Sequence, residues 1–160
     1  MGAPPTLRRA ATVVATLGGI GRIPWAPGTW GSAVGLVVGC LAVRTISPPL
    51  AALALALTFL AGVSYCGRAE QALDRHDPPS VILDEAWGMA AVLVALPWTA
   101  RSALWCLAAF ALFRLFDIVK PPPLKWLATW PGGWGIMADD LGAAAYAVLL
   151  LWLGNRFVHP

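Results

Sequence analysis

The sequence predicts an all-α, polytopic membrane bundle of about five hydrophobic helices, preceded by an amphipathic or re-entrant helix at the N-terminus. Three observations predict it. Of 160 residues, 59% are hydrophobic and 12% charged, with a mean hydropathy of +0.71, which leaves too little polar surface for a domain folded in water. The apolar residues are gathered into five segments separated by prolines and charges. All eight acidic residues fall in the breaks after every second segment. The length suits one integral-membrane domain over residues 1–160.

Arg8-Arg9 followed by Ala10-Ala11-Thr12-Val13-Val14-Ala15 loosely resembles a signal peptide, but Gly18-Gly19-Ile20-Gly21 offers no convincing small-residue cleavage pattern. An interfacial or re-entrant first helix is therefore expected. The five apolar segments are Ser32–Val43, closed by Arg44; Leu50–Cys66, closed by Arg68; Ala86–Leu96, ended by Pro97; Ser102–Phe116; and Leu141–Leu153. Several are shorter than the roughly 20 residues that cross a hydrocarbon core. They must borrow turns from flanking polar residues, tilt, or thin the bilayer. Four spans and a buried half-helix would also fit the pattern. Pro48-Pro49 and Pro97 mark tight turns, because proline ends the preceding helix.

If each segment crosses once, residues 1–31, 67–85 and 117–140 share a face. That face holds Arg8, Arg9, Arg22, Arg68, Arg75, Arg114, Lys120 and Lys125, against Arg44, Arg101 and Arg156 opposite. The excess of basic residues places it in the cytoplasm. The net charge of +3 is small and scattered, which argues against nucleic-acid binding. Cys40, Cys66 and Cys106 have no paired spacing and read as small hydrophobes. His76 and His159 lie near no cysteine pair, so a zinc site is not expected.

The chemistry-bearing residues sit on the acidic face. Asp84-Glu85 opens the third segment; helix capping would explain it. Asp139-Asp140 repeats the arrangement before the fifth. Adjacent carboxylates at a membrane boundary repel one another and lose hydration, and a divalent cation removes both penalties. Two such pairs on one side can point into a common mouth, and carboxylate oxygens without His or Cys favour Mg²⁺. Arg114 and Asp117, three residues apart, share a helix face and read either as an ion pair or as part of the site. Lys120 precedes Pro121, which pushes its backbone toward an extended conformation. Arg114 and Lys120 beside carboxylates suit a phosphate that a metal also contacts. In the stretch Pro24–Ser32, Thr29 or Ser32 is expected to cap a helix. Their hydroxyls and the local N–H groups could also bind phosphate. Asp77 fits a turn before Pro78-Pro79, His76 a surface position, and Glu70, Asp74 and Arg75 a solvated helix extension.

Four blocks in order, Pro24 to Ser32 (PWAPGTWGS), Asp84 to Gly88 (DEAWG), Phe113 to Pro123 (FRLFDIVKPPP) and Gly135 to Asp140 (GIMADD), resemble the phosphatidylglycerophosphatase A family of membrane lipid phosphatases. Asp77 ahead of DEAWG also matches a common pattern of that family. Ala144, where many relatives have Gly, and the irregular Gly18–Gly21 stretch are departures that touch helix packing. The resemblance implies a Mg²⁺-dependent enzyme of the bacterial cytoplasmic membrane that removes the terminal phosphate of phosphatidylglycerophosphate.

The expected roles follow. Asp84, Glu85, Asp139 and Asp140 bind one or two Mg²⁺ ions, and Asp117 completes or orients the site. Arg114 and Lys120 hold the phosphate, with Thr29 and Ser32 orienting it. Water is the expected nucleophile, with a carboxylate such as Asp84 as the alternative. The rival from another class is a cation-coupled transporter, since acids within membranes often mark ion paths. The acids here fall at helix ends, and no inverted repeat is evident. A structural or assembly protein would have no use for doubled carboxylates.

Overall fold

The computed structural model describes residues 4–158, and among them there are helices and no strands. Helix α1 spans Pro5–Ala15, and a 3₁₀ stretch, Leu17–Arg22, leads from it toward α2, Pro27–Thr45. Helix α3 runs Pro48–Leu73 and α4 Leu83–Ala95; a second 3₁₀ turn, Pro97–Arg101, connects α4 to α5, Ala103–Val119. The short α6, Leu124–Leu127, precedes α7, Gly133–Val158. Each of the five apolar segments lies within or nearly fills one of the helices α2, α3, α4, α5 and α7.

Proline sets the starts. Pro27, Pro48 and Pro97 all occupy the first turn of their helices, where a missing N–H costs nothing and φ is already helical. Helix α2 begins before Thr29, behind a left-handed Ala26 (φ 47°). Thr29 and Ser32 are therefore inside the helix and neither is its cap. Helix α4 likewise starts behind Ile82, without a side-chain cap, so Asp84 is its second residue.

The short α4 is the centre of the bundle. It packs against α2, α3, α5 and α7, burying Ala86, Gly88, Met89, Ala90, Val92 and Leu93. Met89, Val92 and Leu93 join Phe113 of α5 and Leu151 of α7 in the main core. Helix α2 turns a row of small residues, Gly28, Gly31, Ser32, Gly35 and Gly39, to the interior. At Gly35 the approach is closest: a Cβ there would lie 2.2 Å from the Ala86 carbonyl oxygen. The α2 and α4 backbones thus touch where any side chain would separate them.

The outer surface is apolar. Leu50, Leu53, Leu57 and Leu60 of α3 and Leu104 and Leu107 of α5 are all more than half exposed. Such contiguous patches are unfavourable in water and suit lipid tails. By length and composition, α3 and α7 are the helices able to cross a membrane. The expectation of about five spans is met only in part. With 13 residues, α4 rises about 20 Å, well short of the roughly 30 Å of a hydrocarbon core. Polar breaks end the α4 run early, and neighbouring helices cover most of it.

The cysteines are free, as expected; Cys66 is buried, and the Cys40 and Cys106 sulfurs are 4.0 Å apart. His76 is exposed and meets Glu70 at 2.5 Å. His159 lies outside the described residues.

Replacing Gly35 by Leu should lower stability by about 1–3 kcal/mol through overpacking. Thermal unfolding in detergent measures this, with Gly154→Ala as control, since nothing lies within 4 Å of a Cβ at Gly154. An unchanged midpoint for the Gly35 variant would mean that the α2–α4 contact is not tight.

Candidate active site

Three helices deliver carboxylates to one end of the bundle. The first turn of α4 supplies Asp84 and Glu85, the last turns of α5 supply Asp117, and α7 supplies Asp139 and Asp140. Asp84, Asp139 and Asp140 are 6%, 4% and 2% exposed. Oxygens of Asp84, Glu85 and Asp140 lie within 4.8 Å of one another, as do oxygens of Asp117, Asp139 and Asp140. Asp140 belongs to both triads. Both paired acids named from the sequence therefore enter a single cluster.

The acidic pair of α7 is placed differently from the expectation. Helix α7 starts at Gly133, so Asp139-Asp140 sits in its second turn rather than at its start. Gly132 takes φ +62°, and a Cβ on Gly133 would lie 1.9 Å from the Val63 carbonyl oxygen of α3. Gly133, in the break between the fourth and fifth apolar segments, instead seats the first turn of α7 against α3. That seating carries the two aspartates inward.

Two cations answer the five carboxylates. Arg114 Nη1 donates to Asp117 Oδ2 at 2.6 Å and to Ser32 Oγ at 3.4 Å, and lies 4.0 Å from Glu85 Oε1. Ser32 Oγ in turn donates to the Gly28 carbonyl at 2.9 Å. Lys120 Nζ donates to Asp139 Oδ2. Burial pulls the Lys120 ammonium down from its ordinary value, but the bond to Asp139 and the charges of Asp139, Asp77 and Asp117 prevail and push it up. Lys120 caps α5 in the left-handed region, φ 48° and ψ 65°. The following proline excludes the right-handed helix, as expected, yet the residue turns left-handed rather than extending.

The cluster remains short of partners. Asp84 Oδ1, Glu85 Oε2 and Asp140 Oδ2 are buried with no hydrogen bond, as is Arg114 Nε. Native interiors rarely leave such groups unpaired. An all-carboxylate donor set with orphaned oxygens from both α4 and α7 fits a hard divalent cation.

Of the nine residues named from the sequence, eight converge here. Thr29 is exposed on the first turn of α2, and among the described residues no side-chain hydrogen bond joins it to the cluster. Gly28 was missed. A Cβ there would lie 2.3 Å from Glu85 Oε1 and 2.9 Å from Arg114 Nη1. Its place in the PWAPGTWGS block, one turn before Ser32, was the available signal.

A helical, membrane-associated protein with an acidic, cation-ready centre flanked by Arg and Lys belongs to a class equipped to act on phosphate esters at a lipid surface. The comparisons narrow that class. The family model described as Phosphatidylglycerophosphatase A matches residues 13–155. A Haemophilus influenzae protein named Phosphatidylglycerophosphatase A is 41% identical over 135 residues, covering 84% of this chain and 82% of its own length. One of the same name from Escherichia coli is 35% identical, covering 87% of this chain and 80% of its own. A Bacteroides thetaiotaomicron protein with a provisional name as a phosphatidylinositol-3-phosphatase is 36% identical, covering 83% and 86%. No solved structure matches the chain significantly. The chain belongs to the phosphatidylglycerophosphatase A family and is an enzyme, a phosphatase; the transporter reading finds no support.

Replacing Arg114 by Met leaves the partly buried Glu85 and Asp117 without their counter-charge and should cost about 3 kcal/mol. Adding Asp117→Asn in the same chain should recover part of that loss. Unfolding midpoints of the two single variants and the double variant measure the coupling; strictly additive losses would show that the pair contributes nothing.

Proposed function

We propose that this protein is a Mg²⁺-dependent phosphatidylglycerophosphatase, which hydrolyses the terminal phosphomonoester of phosphatidylglycerophosphate to phosphatidylglycerol and inorganic phosphate. The observation that carries the reading is Asp140, buried, with an unpartnered oxygen, and shared by the two carboxylate triads. Family membership supports the substrate class.

In this reading α2, α3, α4, α5 and α7 lie in the bacterial cytoplasmic membrane, and the basic excess puts the cluster at its cytoplasmic surface. Asp84, Glu85 and Asp140 would hold one Mg²⁺, and Asp117, Asp139 and Asp140 offer a second position. Bound there, the metal would neutralise phosphate charge and lower the pKa of an attacking water. Arg114 is fixed by Asp117 and Ser32, so its guanidinium is pre-oriented toward an incoming phosphate. Lys120 is held at the mouth by Asp139, and a phosphate arriving there could share its ammonium. Water adds to phosphorus as the bond to the glycerol oxygen breaks, and a proton passes to the departing alkoxide. The acyl chains stay in lipid, and the headgroup alone reaches the cluster.

Phosphate release by detergent-purified protein tests this, with Mg²⁺, with EDTA, and in the Asp140→Asn and Asp139→Ala variants. Release should require the metal and fall at least about a hundredfold in either variant. Mg²⁺ at a hundred times its Kd should stabilise the native protein by about 2.7 kcal/mol and leave Asp140→Asn unmoved. Phosphatidylinositol 3-phosphate, assayed in parallel, should release phosphate more slowly. Failure to hydrolyse phosphatidylglycerophosphate in a folded, lipid-supplied sample would overturn the assignment. A phosphoenzyme trapped by acid quench would replace water with a carboxylate as nucleophile.

A further inference from the structure

A second site for phosphate chemistry lies away from the carboxylates. Arg8, Arg9 and Arg22 line a pocket of about 640 Å³ with Thr12, Val13 and Ala72. No acidic residue lines it, and among the described residues none of the three guanidiniums forms an ion pair. Arg8 Nε is buried without a hydrogen-bond partner. Three like charges held close together without counter-charge form a site for an anion, and guanidinium groups match phosphate oxygens bidentately.

The helix that carries Arg8 and Arg9 identifies the source of that anion. Ala11 and Ala15 are buried, where α1 lies along α3. Leu7, Val13 and Val14 face outward, at 49%, 55% and 38% exposure. An amphipathic helix with outward apolar side chains and adjacent arginines lies in the plane of a leaflet that contains anionic lipid. We propose that the Arg8–Arg9–Arg22 pocket binds the headgroup phosphate of an anionic phospholipid distinct from the substrate, and so seats α1 on the membrane surface.

The pocket is mechanically joined to the active site. The last residue of α1, Ala15, accepts a hydrogen bond from the Ile82 N–H at 2.9 Å, and Ile82 is the residue before α4, two positions ahead of Asp84. Ile82 is pinned from two more sides, since a Cβ on Gly21 would lie 3.1 Å from its Cγ1 and a Cβ on Gly31 2.7 Å from its carbonyl oxygen. A lipid that steadies α1 therefore steadies the start of the helix bearing Asp84 and Glu85.

The test uses the full chain in phosphatidylcholine nanodiscs titrated with phosphatidylserine, reading retained lipid by native mass spectrometry. Arg9→Gln and Arg22→Gln, both exposed positions, should each weaken phosphatidylserine binding about fivefold, and the triple variant with Arg8→Gln about a hundredfold. Arg101→Gln, at the opposite end of the bundle, should leave it unchanged. Phosphate release from detergent-dispersed substrate without phosphatidylserine should be the same in all these variants, because no added lipid then steadies α1 and none of the residues touches the carboxylate cluster. Equal phosphatidylserine binding by wild type and the single variants would overturn the proposal. So would competition by inorganic phosphate at concentrations matching the lipid, which would mark a free-anion site. Loss of phosphate release in the wild type would bear on the phosphatase reading alone and leave the binding result to stand.

Discussion

Mutual repulsion among buried and partly buried carboxylates is the constraint around which the rest of the structure is arranged. Asp84, Glu85, Asp117, Asp139 and Asp140 share one end of an apolar bundle with two cations, Arg114 and Lys120. Carboxylates in a medium of low polarity interact far more strongly than in water, and taking each out of water costs several kcal/mol. The two cations are spent on Asp117 and Asp139, while Asp84 and Asp140 keep oxygens with no partner at all. A fold selected for stability alone would not gather these groups. Their convergence from α4, α5 and α7 is what the proposed Mg²⁺ site would require.

Holding such a site requires rigid walls, and the walls here are made by removing side chains. Gly28 opens the space that Glu85 and Arg114 occupy, Gly35 brings the α2 backbone against Ala86, and Gly133 brings α7 against Val63. Gly88 admits the Phe113 ring, where a Cβ would meet ring carbons at 2.7 Å. Helix association between apolar surfaces in lipid gains little from the hydrophobic effect and depends on close backbone contact. The small residues therefore serve assembly and chemistry together: the contacts that fasten α2 and α7 to their neighbours also fix the positions of Ser32, Asp139 and Asp140.

The site was more legible in the sequence than the fold that carries it. Doubled acids in alternating breaks pick out residues that converge, because charge is too costly in this composition to be scattered through it. Their surroundings were harder to read. Glycine and proline usually punctuate loops, and the residues before Asp139 fall in a break between apolar segments, whereas the chain is helical from Gly133 and packed there on Val63. Hydroxyl residues usually cap helices, but Pro27 starts α2 earlier and takes Thr29 and Ser32 inside. Hydropathy located five apolar segments but not their roles, since the buried α4 and the lipid-length α3 have similar compositions. The hydrogen bond from Ile82 to Ala15 leaves no mark in the sequence, because any residue but proline can donate it.

In the proposed function, the position of the cluster would let a chain so apolar reach a charged headgroup. Asp139 is sealed by Lys120 from a left-handed cap, and Lys120 keeps about a quarter of its side chain exposed. The ammonium is therefore the most exposed group of the cluster, and Trp126, 61% exposed, follows it in the chain on α6. Tryptophan favours the interfacial zone of a bilayer, which is the depth of a phospholipid phosphate. In the proposed function a lipid would meet the cluster without leaving its leaflet, its phosphate at Lys120 and its chains among the leucines of the outer surface. A site placed deeper would require the headgroup to be dehydrated in the hydrocarbon, and one placed farther out would require the acyl chains to enter water.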